Sequence, residues 1–149
     1  MHKADLSQLP CSIARSLQIV GEWWTLLVLR DLCFGVNRFD EIAEHLGIAR
    51  NILKARLDSL IESGMAYRQR YSERPERFEY LPTEKGLDFV PVLLAIAAWG
   101  DRWTSQGNPP MLFTHLACGH DTTATVVCSA CGAPLGRDNI DLRPATLTK

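Results

Sequence analysis

The sequence has no apolar run of the roughly 18 residues that a membrane-spanning helix needs. Its N-terminal segment, residues 1–5, leads into no apolar stretch or small-residue cleavage site typical of a signal peptide. We therefore expect a cytoplasmic protein with no membrane partner. The chain also lacks a strong charge excess, because its formal net charge is −1. Any attraction to nucleic acid has to come from local patches.

Histidine is scarce, with four in 149 residues, and this argues against a nucleophilic enzyme. Cys11 could act as a nucleophile beside a histidine, but His115 and His120 already belong to a metal-ligand pattern. We therefore expect that the protein is not an enzyme. The composition, with 46% apolar and 22% charged residues, suits one globular domain and a small appendage.

The five cysteines are an odd number, which argues against a disulfide framework in a reducing compartment. Residues 115–119 and 128–132 repeat one spacing, in which two metal ligands lie three residues apart and glycine follows directly. Four such ligands form the closed tetrahedral shell of a structural Zn²⁺. His120 stays open as an alternative fourth ligand. The predicted zinc ligands are His115, Cys118, Cys128 and Cys131.

Apolar residues recur at helical spacing through the first 64 residues. The first helix is expected to follow Pro10, whose fixed φ suits a first helical turn, and to end at Gly21. Two more helices are predicted over residues 22–33 and 38–46. A fourth helix ends at Gly64, and its apolar face consists of Leu53, Leu57, Leu60 and Ile61.

The apolar period then changes from that of a helix to that of a strand. Residues 65–71 and 77–81 are predicted to form two strands of a β-hairpin. Thr83 is expected to cap a long helical segment that extends to about Ser105. Pro91 lacks a backbone donor, so it should interrupt this segment and kink the helix.

Helix, glycine turn, helix and hairpin in this order form a winged helix-turn-helix. The predicted fold is mostly α with a small β-hairpin wing, in the α+β class. Residues 107–110, Gly-Asn-Pro-Pro, form the best linker in the chain. The linker divides the chain into a DNA-binding and dimerisation domain, residues 1–107, and a tail module, residues 108–149.

Residues 50–77 carry local positive charge, with seven basic residues against four acidic ones. In a winged helix, the second helix of the motif enters the major groove and the hairpin lies along the adjacent backbone or minor groove. The same pattern also fits a module that docks another protein without specific DNA binding, and that alternative stays open. The candidate contacts with double-stranded DNA are Arg38, Arg50, Asn51, Lys54, Arg74 and Arg77.

Many separated motifs between about residues 10 and 104 resemble the HxlR-type transcriptional regulators, which are related to the MarR group. The resemblance implies a homodimer that binds a pseudo-palindromic operator, most often as a repressor. Some similar tails pack as a small hairpin without metal. The motifs that carry the resemblance are Cys11, Gly21-Glu22-Trp23-Trp24-Thr25-Leu26-Leu27, Leu29-Arg30-Asp31, Arg38-Phe39-Asp40-Glu41-Ile42, Leu57, Leu60, Gly64-Met65, Pro75, Arg77-Phe78-Glu79-Tyr80, Thr83-Glu84-Lys85-Gly86 and Trp99-Gly100.

The resemblance also implies that the first and last helices of the domain form the dimer interface. Trp99 and Trp103 lie one helical turn apart and could instead complete the core of the monomer. Trp23 and Trp24 are adjacent, so one of them should be partly exposed or lie at an interface. The candidate interface residues are Ile13, Leu17, Ala97, Trp99 and Trp103.

Several HxlR-type proteins respond to oxidants or electrophiles through a cysteine just before the first helix, the position that Cys11 occupies. A helix N-terminus favours the thiolate, which is the reactive form of a cysteine. Other members respond to small molecules, so a small-molecule effector is the alternative. Cys33 lies within an apolar stretch and is expected to be a small buried hydrophobe.

Overall fold

The computed structural model describes residues 5–6 and 8–145. Its elements confirm the prediction of a mostly helical chain with a β-hairpin wing. They are, in chain order, α1 (Ser12–Val20), α2 (Trp23–Cys33), α3 (Phe39–Leu46), α4 (Arg50–Glu62), β1 (Ala66–Glu73), β2 (Glu76–Pro82), α5 (Glu84–Leu87), α6 (Val90–Trp103), β3 (Phe113–His115) and β4 (His120–Thr122), followed by a short 3-10 turn, Arg137–Asn139.

Glycines end the helices of the helix-turn-helix largely as predicted. Gly47 caps α3 with φ 60°, a left-handed conformation that glycine adopts without steric cost. Gly35 follows the end of α2, and Gly64 follows the end of α4. The first helix follows Pro10 and ends before Gly21 as predicted, although α1 begins only at Ser12, so that Cys11 takes the capping position and Pro10 lies outside the first turn.

The core of the winged helix lies between α2, α3, α4 and the start of the wing. Val28 and Leu29 of α2 are fully buried, and the predicted apolar face of α4 packs against them. Burying such side chains stabilises the fold by about 1.5–3 kcal/mol each. The buried hydrophobic cluster consists of Val20, Val28, Leu29, Leu32, Ile42, Ile48, Leu53, Leu57, Leu60, Met65 and Ala66.

A buried carboxylate joins α2 to α3. The Asp31 side chain is 1% exposed, forms an ion pair of 2.7 Å with Arg30 and shares a hydrogen bond of 2.7 Å with Nδ1 of His45. Buried carboxylates are costly unless they are paired, and these two partners satisfy both oxygens. The contact with His45 therefore helps to fix the angle between α2 and α3.

The wing is an antiparallel hairpin that is longer than predicted. Its strands pair from Ala66 opposite Pro82 to Glu73 opposite Glu76, with an irregularity between Arg70 and Ser72. Cross-strand pairing extends strands beyond their apolar residues, so polar positions near the tip also join the sheet.

The segment predicted from Thr83 to about Ser105 is interrupted near Pro91 as predicted, but the interruption is a break between two helices, α5 and α6, and not a kink. In an unbroken helix the N–H of Pro91 would donate to the carbonyl of Leu87, but proline has no N–H. The helix therefore ends at Leu87 and restarts at Val90. Thr83 caps α5 as predicted, since its hydroxyl accepts from the N–H of Gly86 at 3.2 Å.

The chain divides into two compact units, residues 1–93 and 94–149. The predicted boundary between residues 107 and 108 stays a prediction. In the tail, β3 and β4 form one small hairpin, and a bridge between Val127 and Pro134 closes a second. Within the described ranges, no helix is long and apolar enough to cross a membrane.

Candidate nucleic-acid interface

The first turns of α4 present three polar side chains away from the core. Arg50, Asn51 and Lys54 are exposed, whereas the leucines at positions 53, 57 and 60 are at most 1% exposed. The helical period therefore separates a buried face from a free face, as predicted. This arrangement fits a recognition helix whose N-terminal residues contact base edges.

Both cations of this face have acidic partners on the protein. Nη1 of Arg50 donates to Oδ1 of Asp40 at 2.5 Å, and Nζ of Lys54 donates to Asp58 at 2.5 Å. The hydrogen bond that Lys54 donates to the Asp58 carboxylate raises the pKa of Lys54. Because these side chains are exposed, phosphate or base acceptors can replace the carboxylates at little cost.

Arg38 lies where α3 meets the wing. Its guanidinium is 4.8 Å from the ring centroid of Tyr71 and 3.7 Å from the carboxylate of Glu41. The N–H of Tyr80 donates to the carbonyl of Asn37 at 2.8 Å, which fixes the wing to this corner. An open cavity of about 490 Å³ lies here, lined by Arg38, Phe39, Asp40, Glu41, Arg68, Tyr71, Glu76, Arg77, Phe78 and Tyr80.

The tip of the wing carries two exposed arginines. Arg74 and Arg77 flank Pro75, and the hydroxyl of Ser72 donates to the Pro75 carbonyl at 2.9 Å across the turn. Within the part of the chain that the structure describes, neither arginine has an ion-pair partner. They are therefore available to phosphates without first leaving a carboxylate.

Sequence reasoning did not select Arg68 and Arg70 of β1. The guanidinium of Arg68 stacks on the ring of Phe78, 3.4 Å from its centroid, and lines the cavity. Arg70 is paired with Glu73 and Glu76 at 3.7 and 3.4 Å. Only the pairing of the two strands shows that Arg68 faces the cavity, although its charge was visible in the sequence.

The candidate interface residues on α1 and α6 are mostly exposed. Ile13 and Leu17 are 72% and 46% exposed, and Trp99 and Trp103 are 62% and 63% exposed. Ala97 is half-buried. The two tryptophans therefore do not complete the core of the described chain. Each helix by itself presents apolar area that water would normally disfavour.

The adjacent tryptophans of α2 differ as expected from helical geometry. Trp23 is 91% exposed, while Trp24 packs against the core. The prediction for this pair is confirmed, because adjacent residues of a helix face different directions and one of the two is exposed.

The two cysteines outside the tail differ in environment. Cys11 is exposed at the start of α1. Cys33 is half-buried against the core, its thiol lies 3.8 Å from the carbonyl of Gly86, and burial raises its pKa. Cys33 thus behaves as the partly buried hydrophobe that the sequence suggested.

The structure brings the predicted zinc ligands together as two pairs. Nδ1 of His115 is 3.3 Å from Sγ of Cys118. The backbone N–H groups of Ala130 and Cys131 and the Cys131 thiol lower the pKa of Cys128. Among residues 5–6 and 8–145, no group of three or more metal-ligating side chains lies together.

Comparison with known proteins identifies the fold and the family. Residues 19–108 match the model of the HxlR-like helix-turn-helix family. An HTH-type transcriptional regulator of Mycobacterium bovis is 40% identical over 134 residues, which cover 89% of this chain and 85% of the relative. That alignment covers too much of the chain to end at residue 108, so it continues into the tail.

Two solved structures support the same conclusion. PA1607, described as a candidate transcription factor, is 30% identical to this chain, and the two structures superpose with a TM-score of 0.84. The match covers 95% of this chain and 100% of PA1607. The redox regulator HypR in its oxidised form is 26% identical with a TM-score of 0.57, covering 62% of this chain and 96% of its own. The chain belongs to the HxlR-like helix-turn-helix family, and it is a DNA-binding transcriptional regulator rather than an enzyme.

Proposed function

We propose that the protein binds a pseudo-palindromic operator sequence-specifically as a homodimer and represses transcription there. The observation that carries this proposal is the exposed polar face at the start of α4, beside a wing tipped with two arginines. A helix of this kind fits the major groove, while an arginine-bearing hairpin fits the adjacent backbone or minor groove.

Each candidate residue has a role in this proposal. Asn51 is suited to paired hydrogen bonds with adenine, and Arg50 to guanine or phosphate once it leaves Asp40. Lys54 and Arg38 would contact phosphates beside the groove. Arg74 and Arg77 at the wing tip would contact phosphates or enter the minor groove. The contacts with phosphates would position the helix on the duplex.

Dimerisation follows from the geometry of DNA. Two half-sites on one face of the duplex lie about 34 Å apart, so two recognition helices related by a twofold axis read a palindrome together. The exposed tryptophans of α6 and the exposed Ile13 of α1 offer apolar area for a second copy. Repression fits this arrangement, because a bound dimer covers adjacent major grooves and excludes other proteins from the site.

The effector is proposed to be an oxidant or electrophile that reacts with Cys11. The thiol is exposed at the start of α1, one of the two helices proposed for the dimer interface. A structural neighbour, HypR, is named a redox regulator. Oxidation of Cys11 in the two protomers would change the contacts between them and thereby the spacing of the recognition helices.

Selection of bound fragments from genomic DNA, followed by binding measurements on variants, tests the proposal. Asn51→Ala should reduce the preference for the selected site by about 1–3 kcal/mol, whereas Arg74→Ala should weaken binding to all duplexes about equally. Affinity should fall steeply with salt, because several cations contact phosphates. A protein-docking module would select no duplex, and an unchanged preference in Asn51→Ala would refute the assigned helix.

The effector proposal is tested separately. Cys11→Ser should remove the effect of hydrogen peroxide or a quinone on operator binding, while Cys33→Ser serves as the control that keeps the response. An unchanged response in Cys11→Ser would exclude Cys11 as the sensor and direct the search to small-molecule effectors.

A further inference from the structure

Two turns of the tail have the same backbone geometry. The N–H of Gly119 donates to the carbonyl of His115 at 2.8 Å, and the N–H of Gly132 donates to the carbonyl of Cys128 at 2.8 Å. Both glycines have a positive φ, 71° and 74°. In each turn the chain folds back between two metal-ligating residues, so that both side chains are presented from one tight loop.

Within the first turn the ligand atoms already lie at a spacing that suits a metal. Two ligands of a tetrahedral zinc, at about 2.3 Å for sulfur and 2.0 Å for nitrogen, are about 3.5 Å apart. His115 Nδ1 and Cys118 Sγ are separated by 3.3 Å. This ligand pair is therefore formed before any metal is added.

The tail has secondary structure but little core. Every described residue from 104 to 145 is exposed or half-buried, and only Ser105, Phe113, Ala124 and Cys128 are half-buried. A segment of this size cannot be stabilised by so little apolar burial, and small domains of this kind use disulfides or a structural metal instead.

We propose that His115, Cys118, Cys128 and Cys131 bind one structural Zn²⁺, which joins the two turns of the tail. Among the described residues no three metal-ligating side chains lie together, so binding of the ion would bring one turn to the other, a coupling of metal binding to folding. Three thiols release their protons to solvent as they bind, and the histidine binds as the neutral imidazole. With four protein ligands, no position is left for a substrate.

His120 is the competing histidine. It lies directly opposite His115 in the β3–β4 pair. The contact between His115 and Cys118 favours His115 as the ligand. Since both histidines are exposed at one hairpin, substitution of each can be compared without a change in the winged helix.

Metal content of the full-length chain, purified without a histidine tag under reducing conditions, tests the proposal. We expect about one zinc per chain after dialysis in the native sequence and in Cys11→Ser, and near zero in Cys131→Ser. Cobalt added to the metal-free chain should give sulfur-to-metal charge-transfer bands and the visible bands of a tetrahedral site, and Cys131→Ser should lose them.

Circular dichroism of each variant checks that the winged helix remains folded, so that loss of metal can be distinguished from loss of the whole structure. A native chain that retains no zinc and gives no cobalt bands overturns the proposal. Full retention of zinc in Cys131→Ser also overturns it. If His120→Ala lost its zinc and His115→Ala retained it, the assignment of His115 as the fourth ligand would be overturned. None of these outcomes depends on operator binding.

Discussion

At the scale of single residues, Gly86 shows how closely α5 approaches the backbone that follows α4. A β-carbon at this position would overlap the carbonyl oxygen of Met65. That carbonyl accepts the N–H of Thr83 at 3.0 Å, so it has little freedom to move. We therefore expect Gly86→Ala to lower the free energy of unfolding by about 1–3 kcal/mol, as overpacking usually does.

Urea unfolding of purified variants measures this effect, and Gly100→Ala is the matched control. A β-carbon at Gly100 would meet only the Thr104 hydroxyl at 3.7 Å, an ordinary contact. Because glycine is about 0.5–1 kcal/mol less favourable than alanine within a helix, this control should be neutral or stabilising. Similar losses in both variants would contradict the close approach at Gly86.

The two cysteines of the winged helix should differ in reactivity. Thiolate is the nucleophile, and burial raises the pKa of Cys33, so less thiolate is present near neutral pH. Cys11 is exposed. We expect iodoacetamide to modify Cys33 roughly tenfold or more slowly than Cys11 in the native protein.

Peptide mass spectrometry over a time course gives the two rates. The difference between the two modification rates should narrow as pH rises toward the pKa of Cys33. It should vanish in denaturant, where both thiols are solvated. Equal rates in the native protein would show that Cys33 is not protected by its position against the core.

At the scale of secondary-structure elements, the sequence was sufficient for the helices of the motif because their signals are local. Apolar spacing and glycines define α2, α3 and α4 within a few residues. The interruption at Pro91 is also a local signal, because proline lacks the N–H that an unbroken helix needs. The length of the wing depends on pairing between strands, which periodicity alone does not give.

The candidate nucleic-acid interface was predicted only in part, because the sequence pattern reports local structure and not contacts between elements. The helical period placed Asn51 on the free face, but it could not show that Arg50 bonds to Asp40, ten positions earlier and on another helix. The stacking of Arg68 on Phe78 likewise requires the register of the wing. Contacts between elements are set by the tertiary fold, which the sequence pattern does not specify.

The Arg50–Asp40 pair should compete with DNA. Arg50 and Asp40 are 70% and 80% exposed, and exposed ion pairs are worth about 0.2–1 kcal/mol. Asp40→Asn removes the competing carboxylate and one negative charge near the phosphates. We therefore expect affinity for any duplex to rise about two- to fivefold at low salt.

Fluorescence anisotropy on the native protein, Asp40→Asn, Arg50→Ala and the double variant forms a thermodynamic cycle. If release of Arg50 is the cause, Asp40→Asn should have a smaller effect when Arg50 is already alanine. If Asp40→Asn raised the DNA affinity equally in the native protein and in Arg50→Ala, Asp40 would act only through its charge.

At the scale of the whole molecule, the proposed function requires a second copy of the chain. One recognition helix covers one half-site, and the preference for a palindrome arises only when two are held about 34 Å apart. Trp99 and Trp103 are more than half exposed on α6. Such side chains are stabilised when a partner covers them, because aromatic residues dominate the energy of interfaces.

We expect Trp99→Glu and Trp103→Glu together to convert a dimer into a monomer, since a buried carboxylate without a partner is costly. Sedimentation velocity measures the change, and operator binding should fall while circular dichroism stays constant. Trp23→Glu is the control, because Trp23 is 91% exposed on α2, outside the proposed interface. If the double variant remained a dimer, or if Trp23→Glu also dissociated it, the interface would lie elsewhere and the spacing of the half-sites would have to be explained from another surface.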